Sequence, residues 1–406
     1  MKIPDIKKFL VLGFVALGPL GNLLTPHFFP KAFRSYYFLL PTFPLFFWQF
    51  KGKQLKVLIF FIPFLLYCSV SALYVELFGQ PSEPFPLFRF FLLLFNFCFI
   101  IGASFTLTTL KETGLLINLY LKSFFISLGI GTIFYIGFYL NYISLPLIER
   151  FSVLTQFGYG HLRFSPGSYP NEYGTLTSFV LSILTLHIIR PCKELNLTKK
   201  QTLFFFILTF AAMLLTTTRS AYLGYLFCFF YIAWKTKRFF QTLRWLSLAF
   251  LALLFLFRCF GINLLEILYA GFNFVSFQDG SAGERLSHWS SALEDFQLGI
   301  FFGNGFASIT NLHNVYLQLL FELGLLGIAI LFGTFLLWIF NYPLRISNKI
   351  DDSNYFFFNS LRMMGLIQVL WFAISNHNLN HHLTWFILFL FIKGFKENVF
   401  KVEQKI

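Results

Sequence analysis

Apolar runs recur along the chain from Phe9 to Ile392, each of about 20 residues and so long enough to cross ~30 Å of hydrocarbon as a helix. A bilayer core offers no water to unpaired backbone N–H and C=O groups, so runs of this length permit only hydrogen-bonded helices packed as a bundle. Composition agrees, with 57% hydrophobic and 12% charged residues, 63 phenylalanines among 406 positions and a mean hydropathy of +0.70. The reading is an all-α integral membrane protein, one polytopic domain over 1–406. Spans are expected near 9–30, 34–50, 56–78, 88–110, 118–140, 172–189, 201–217, 220–234, 243–260, 313–340, 360–376 and 382–394, about twelve in all. The N-terminal run follows basic residues as a signal peptide would, but no A-x-A-like site comes after it, so it reads as the first span.

The basic residues set the expected orientation. With a cytoplasmic N-terminus, Lys31, Arg34, Arg89, Arg150, Arg163, Arg219, Arg258 and Arg285 fall outside and the remaining lysines and arginines fall inside. Both termini are then cytoplasmic. The net charge of +14 is topological, facing anionic inner-leaflet lipid, and calls for no nucleic-acid partner. Seven of those eight outer residues are arginines, whose planar fork suits phosphate better than the lysine that suffices for topology. Interfacial arginines also snorkel to headgroups, the plain account for Arg34, Arg89, Arg150 and Arg258; Arg219 and Arg285 fit it less well.

Polar chemistry gathers in the expected outer parts. Two larger outer loops are expected, 146–171 and 261–312. In the second, Ser281 and Glu284 form an S-x-x-E capping box, and Leu286, Trp289, Leu293 and Phe296 share a helical face, which predicts an amphipathic helix at the membrane surface. Arg285 and Trp289 stand four apart on it, close enough for a cation to sit over an indole. Beyond "FFGNGFASIT", His313 opens a span on which Asn314, Gln318 and Glu322 recur every four residues, with Gly324 and Gly327 as a close-packing patch. A lipid-facing glutamate would cost several kcal/mol, so this stripe is expected to face the bundle interior or a wet cavity opening outward.

Absences narrow the chemistry. There is no D-x-D pair, P-loop, G-x-G-x-x-G, G-x-S-x-G or H-E-x-x-H. The five cysteines (Cys68, Cys98, Cys192, Cys228 and Cys259) show no paired spacing, so neither a disulfide framework nor a thiolate metal site is expected. The histidines of "SNHNLNHHLTW" lack Cys or carboxylate partners in sequence and read as a polar vestibule. No cofactor and no metal are expected.

These residues resemble the O-antigen ligase family of bacterial membrane glycosyltransferases. His313 and Asn314 followed by Gly324 and Gly327 fit its H-[NSQ]-x9-G-x-x-G pattern, and Arg219 with Leu223 fits R-x3-L. "GERLSHW" and "GNGF" resemble the long loop before the histidine, and "SPGSYPNEYG" the turn of the preceding large loop. The resemblance runs from Arg163 to Gly327; the N-terminal third and the last two spans carry topology only. It implies a periplasmic reaction at the inner membrane on an undecaprenyl diphosphate-linked glycan. The acceptor is lipid A-core in a ligase or a growing lipid-linked glycan in a polymerase. Paired R-x15-G motifs of polymerases are missing, which favours the ligase.

The chemistry of such a transfer fits the same residues. Arg219 and Arg285 would meet the charge developing on the departing diphosphate, with no metal. His313 would orient the acceptor hydroxyl and accept its proton. Arg163, Asn171, Trp289, Asn314, Gln318 and Glu322 are the expected substrate-binding residues. Direct attack by a sugar hydroxyl inverts the anomeric centre; a double displacement needs a carboxylate nucleophile, for which Glu322 lies deep. A lipid-glycan transporter is the competing class, disfavoured by the lack of an internal repeat and by polar groups placed outside rather than at mid-membrane.

Overall fold

The structure is a computed structural model and describes residues 3–21, 23–24, 34–42, 52–79, 86–106, 110–151, 157–158, 161–259, 263–266, 269, 287–294, 299–308, 312–341, 353–375, 381–388 and 390. Its principal helices are α1 (Ile3–Leu17), α2 (Gly52–Phe78), α3 (Pro86–Thr106), α4 (Leu110–Tyr139), α5 (Leu145–Phe151), α6 (Pro170–Ile189), α7 (Lys199–Leu215), α8 (Arg219–Thr236), α9 (Phe239–Cys259), α10 (Val315–Asn341) and α11 (Ser353–Ser375). A 3-10 helix covers Ser35–Thr42, and Phe157–Gly158 pairs antiparallel with His161–Leu162. Short helical segments cover 287–294 and 382–388.

Five stretches among the described residues are long and apolar enough to cross a membrane: Phe61–Phe78, Lys111–Tyr139, Pro170–Ile189, Val315–Thr334 and Asn354–Ile374. The chain is thus a helical membrane protein, with five such stretches where about twelve crossings were expected. The expected second span differs: its described part is the 3-10 helix, and α1, at 15 residues, rises only ~22 Å. Side chains such as Leu66, Val70, Leu73 and Leu77 on α2 stay exposed, as lipid-facing positions do.

Helix α6 is the centre of the bundle. Of its span 89% is buried, against 33–50% for the other four, and it packs on α7, α8 and α11. Its sequence explains how. Thr175, Thr177, Ser182 and Thr185 turn their hydroxyls back onto the carbonyls of Asn171, Gly174, Ser178 and Leu181, all at 2.8 Å. Small side chains that satisfy themselves let neighbouring backbones approach closely without an unpaired polar group. Gln368 of α11 then reaches Ser178 and Ser182 at 3.0 and 3.2 Å, and Tyr225 of α8 meets Thr185 at 2.9 Å. At the opposite end from the candidate site, Thr198 and Gln201 cap α7 reciprocally, and Asn118 clamps the loop before it through Glu194 O and Asn196 N.

Candidate active site

The N-termini of α6, α8 and α10 share one end of the bundle. Thr218, the residue before α8, donates to Pro170 O at the start of α6 at 3.1 Å. Gly174 permits this, since a Cβ there would lie 2.8 Å from Thr218 Cβ and 3.1 Å from Ala221. The far end of α11 links α8 to α10: Trp371 Nε1 donates to Ser220 O at 2.8 Å, and Tyr316 OH to Leu370 O at 3.2 Å. Arg219, one residue before Ser220, and His313, three residues before Tyr316, are therefore brought to the same end by adjacent positions of α11.

Arg163 completes the turn before α8. Its Nε donates to Thr216 O at 2.7 Å, and its Nη2 to Thr218 Oγ1 at 3.1 Å and Asn171 Oδ1 at 3.4 Å. Three neutral acceptors thus orient a cation at the turn that precedes the half-buried Arg219. Thr217, at φ 50, holds the tight turn. Neither Tyr169 before α6 nor Thr218 before α8 caps its helix with a side-chain hydrogen bond. Helix N-termini carry partial positive charge and orphan amides, so two adjoining ones flanked by Arg163 and Arg219 favour an anion.

His313 sits immediately before α10, half-buried, in the left-handed region at φ 50. Such backbone in a non-glycine residue costs of order 1–3 kcal/mol and persists only where the surroundings over-determine it. Its neighbour Asn314 is buried and caps α10, accepting from Leu317 N at 3.0 Å. Trp289 spends its indole N–H on Leu312 O at 2.6 Å and packs with Ala292, Leu312 and Phe321, pinning the 287–294 segment over the approach to His313. Of the expected apolar face, Trp289 packs inward beside Ala292, whereas Leu293 is 54% exposed. Arg285, Ser281, Glu284, Leu286 and Phe296 lie outside the described residues.

Of the two settings expected for the stripe below His313, Gln318 and Glu322 take the bundle interior. Glu322 is fully buried, and Arg89 of α3 donates to its Oε1 at 2.8 Å while Gln318 Nε2 donates to the same oxygen at 2.9 Å. The reason is electrostatic: a carboxylate in an apolar bundle is stable only when paired, and Arg89 supplies the partner that a headgroup-snorkelling reading had assigned elsewhere. Its guanidinium also lies 5.1 Å over the Phe306 ring. Gln318 Oε1 and Glu322 Oε2 have no hydrogen-bond partner among the described residues.

Gly324 does more than pack closely. Its φ of 65 and ψ of −173 break α10, freeing carbonyls above and amides below. Unsatisfied backbone groups in lipid cost several kcal/mol each, and the strap 299–308 covers them. Asn304 N reaches Phe321 O at 2.7 Å, Gly305 N reaches Glu322 O at 2.9 Å, and Leu325 and Leu326 N reach Ile300 and Phe301 O at 3.0 Å. Gly303 and Gly324 meet backbone to backbone, so a Cβ on either would overlap the other. Part of the expected outer loop 261–312 therefore runs alongside residues 321–326 of α10.

A second polar cluster adjoins the first. Arg34 Nη2 and Ser168 Oγ each donate to Glu172 Oε2 at 2.7 Å, beside Asn171 on α6. Burial holds the nearby His381 imidazole below the usual histidine range, opposed by the Glu172 carboxylate. His382 is buried against Phe14, Tyr36 and Tyr120 and reaches Phe14 O at 2.8 Å, so it serves packing. His377 lies outside the described residues. Spacing alone gave no signal for Arg89, Tyr67, Thr218 or Trp371, because each works with residues more than 40 positions away.

The O-antigen ligase family model matches residues 204–332. No curated protein and no solved structure matches the chain. The matched segment holds Arg219, Trp289, His313 and the Gly324 break. Over residues 204–332, about a third of its length, the chain is similar to the O-antigen ligase family.

Proposed function

We propose that this protein transfers a glycan from undecaprenyl diphosphate to an acceptor hydroxyl at the periplasmic face of the bacterial inner membrane. Ligation to lipid A-core is the favoured reaction. The observation that carries this reading is the grouping of Arg163, Asn171, the turn before Arg219 and His313 at one bundle end, where uncapped N-termini of α6 and α8 adjoin. Arg163 and Arg219, with Arg285, would meet the charge on the departing diphosphate. His313 would orient the acceptor hydroxyl and take its proton as the new glycosidic bond forms and the bond between the anomeric carbon and the diphosphate oxygen breaks, releasing undecaprenyl diphosphate. Asn171 holds Arg163; Asn314, Gln318 and Glu322 support the wall through which His313 is fixed. Both termini would be cytoplasmic, with 146–171 and most of 261–312 periplasmic.

Polymerisation onto a growing lipid-linked glycan uses the same site and is the second reading. A transporter would use the broken α10 to present dipole ends to its cargo; here Ile300, Phe301 and the Asn304 and Gly305 amides occupy those groups. Glycans extracted from a strain lacking the protein test the reaction: full-length chains left on the lipid carrier mean ligase, and single repeats mean polymerase. An unchanged glycan profile would sink both. Purified His313→Ala in proteoliposomes should bind donor yet lose ~10²–10⁴-fold of the transfer rate, the typical share of general base catalysis.

A further inference from the structure

We infer that Tyr67, on α2 in the N-terminal third of the chain, is a positioning residue for His313; the inference rests on the reading of His313 given above. The break at Gly324 frees the carbonyls of Phe321, Glu322 and Leu323, and the strap takes the first two through Asn304 N and Gly305 N. The third, Leu323 O, is met by Tyr67 OH at 3.0 Å, and the same hydroxyl lies 2.8 Å from Phe302 O on the strap. One phenolic proton thus sits between the strap and the helix it covers.

Other groups from α2 and α3 hold the same strap. Ser71, one turn on from Tyr67, accepts from Phe306 N at 2.8 Å, and Arg89 lies over Phe306 while pairing with Glu322. Gly305, at φ 101, leaves no room for a Cβ against Val75. Gly327, just below the break, packs on the Tyr67 ring, where a Cβ would lie 2.8 Å from Cε1.

His313 lies in the connection from the strap to α10. Trp289 holds Leu312 O next to it, Tyr67 and Ser71 hold the strap before it, and the same Tyr67 hydroxyl meets Leu323 O on α10 after it. A left-handed histidine needs surroundings that over-determine it, and this clasp supplies them. Residues far outside the matched segment 204–332 therefore contribute to the geometry of the site within it.

Tyr67→Phe keeps the ring and removes the proton. The full chain in proteoliposomes should show faster amide exchange in peptides covering 300–308 and also 309–316. In the transfer assay kcat should fall roughly 10- to 100-fold, as a misplacement of about 1 Å can cause, with KM for the lipid-linked donor unchanged. Ser71→Ala should move the same peptides. Unchanged exchange in both variants would overturn the clasp. Faster exchange in 300–308 with wild-type protection in 309–316, or an unchanged kcat, would overturn the link to His313. Wild-type protein without any transfer would instead sink the reaction, and the exchange data would still decide whether Tyr67 holds the His313 segment.

Discussion

The Trp371 indole nitrogen donates to Ser220 O at 2.8 Å, so the end of α11 is tied to the residue that follows Arg219. The neighbouring Leu370 carbonyl accepts from Tyr316, three residues after His313. Helix α11 thereby sets the separation of the two groups that the proposed chemistry requires. Trp371→Phe removes one hydrogen bond and keeps most of the packing against Gly224. It should cost about 1 kcal/mol of stability, the net worth of such a bond. The transfer rate should fall by a larger factor than thermal unfolding in detergent accounts for, and a rate loss no larger than that would deny α11 a spacing role.

Arg163 reaches three acceptors with two of its nitrogens. A lysine ammonium retains the charge but cannot span Thr216 O, Thr218 Oγ1 and Asn171 Oδ1 with a planar fork. Arg163→Lys should lose most of the transfer activity and weaken donor binding, measured with a lipid diphosphate in proteoliposomes. Wild-type binding by the lysine variant would mean that positive charge suffices there.

The Arg89–Glu322 pair is buried on both sides, with side-chain exposures of 9% and 0%. Removing one partner strands a charge and should cost about 3–5 kcal/mol, whereas removing both leaves an apolar contact of similar volume. Arg89→Met and Glu322→Met should each lower the unfolding midpoint sharply, and the double variant should recover much of it. Additive losses in the double variant would show that the two side chains do not work as a pair.

The helical bundle was legible in the chain because it depends on a one-dimensional quantity, the length of apolar runs, and bilayer thickness imposes that length locally. The helices over Pro170–Ile189, Lys199–Leu215, Arg219–Thr236 and Val315–Asn341 follow the expected spans closely. Residues 35–42 do not, since an aromatic apolar run containing Pro41 is compatible with a 3-10 helix as well as a span. The similarity to the O-antigen ligase family was legible too, since the expected resemblance over Arg163 to Gly327 overlaps the matched residues 204–332. What spacing could not reveal was which partner neutralises Glu322. Periodicity showed that the carboxylate must avoid lipid, but a cavity and an ion pair both meet that need, and only the packing of α3 against α10 chose Arg89. Gly324 is the same case in backbone form. A glycine in an apolar helix can be a packing contact or a break, and the decision rests on whether another segment covers the freed carbonyls, here the strap 299–308 and the Tyr67 hydroxyl.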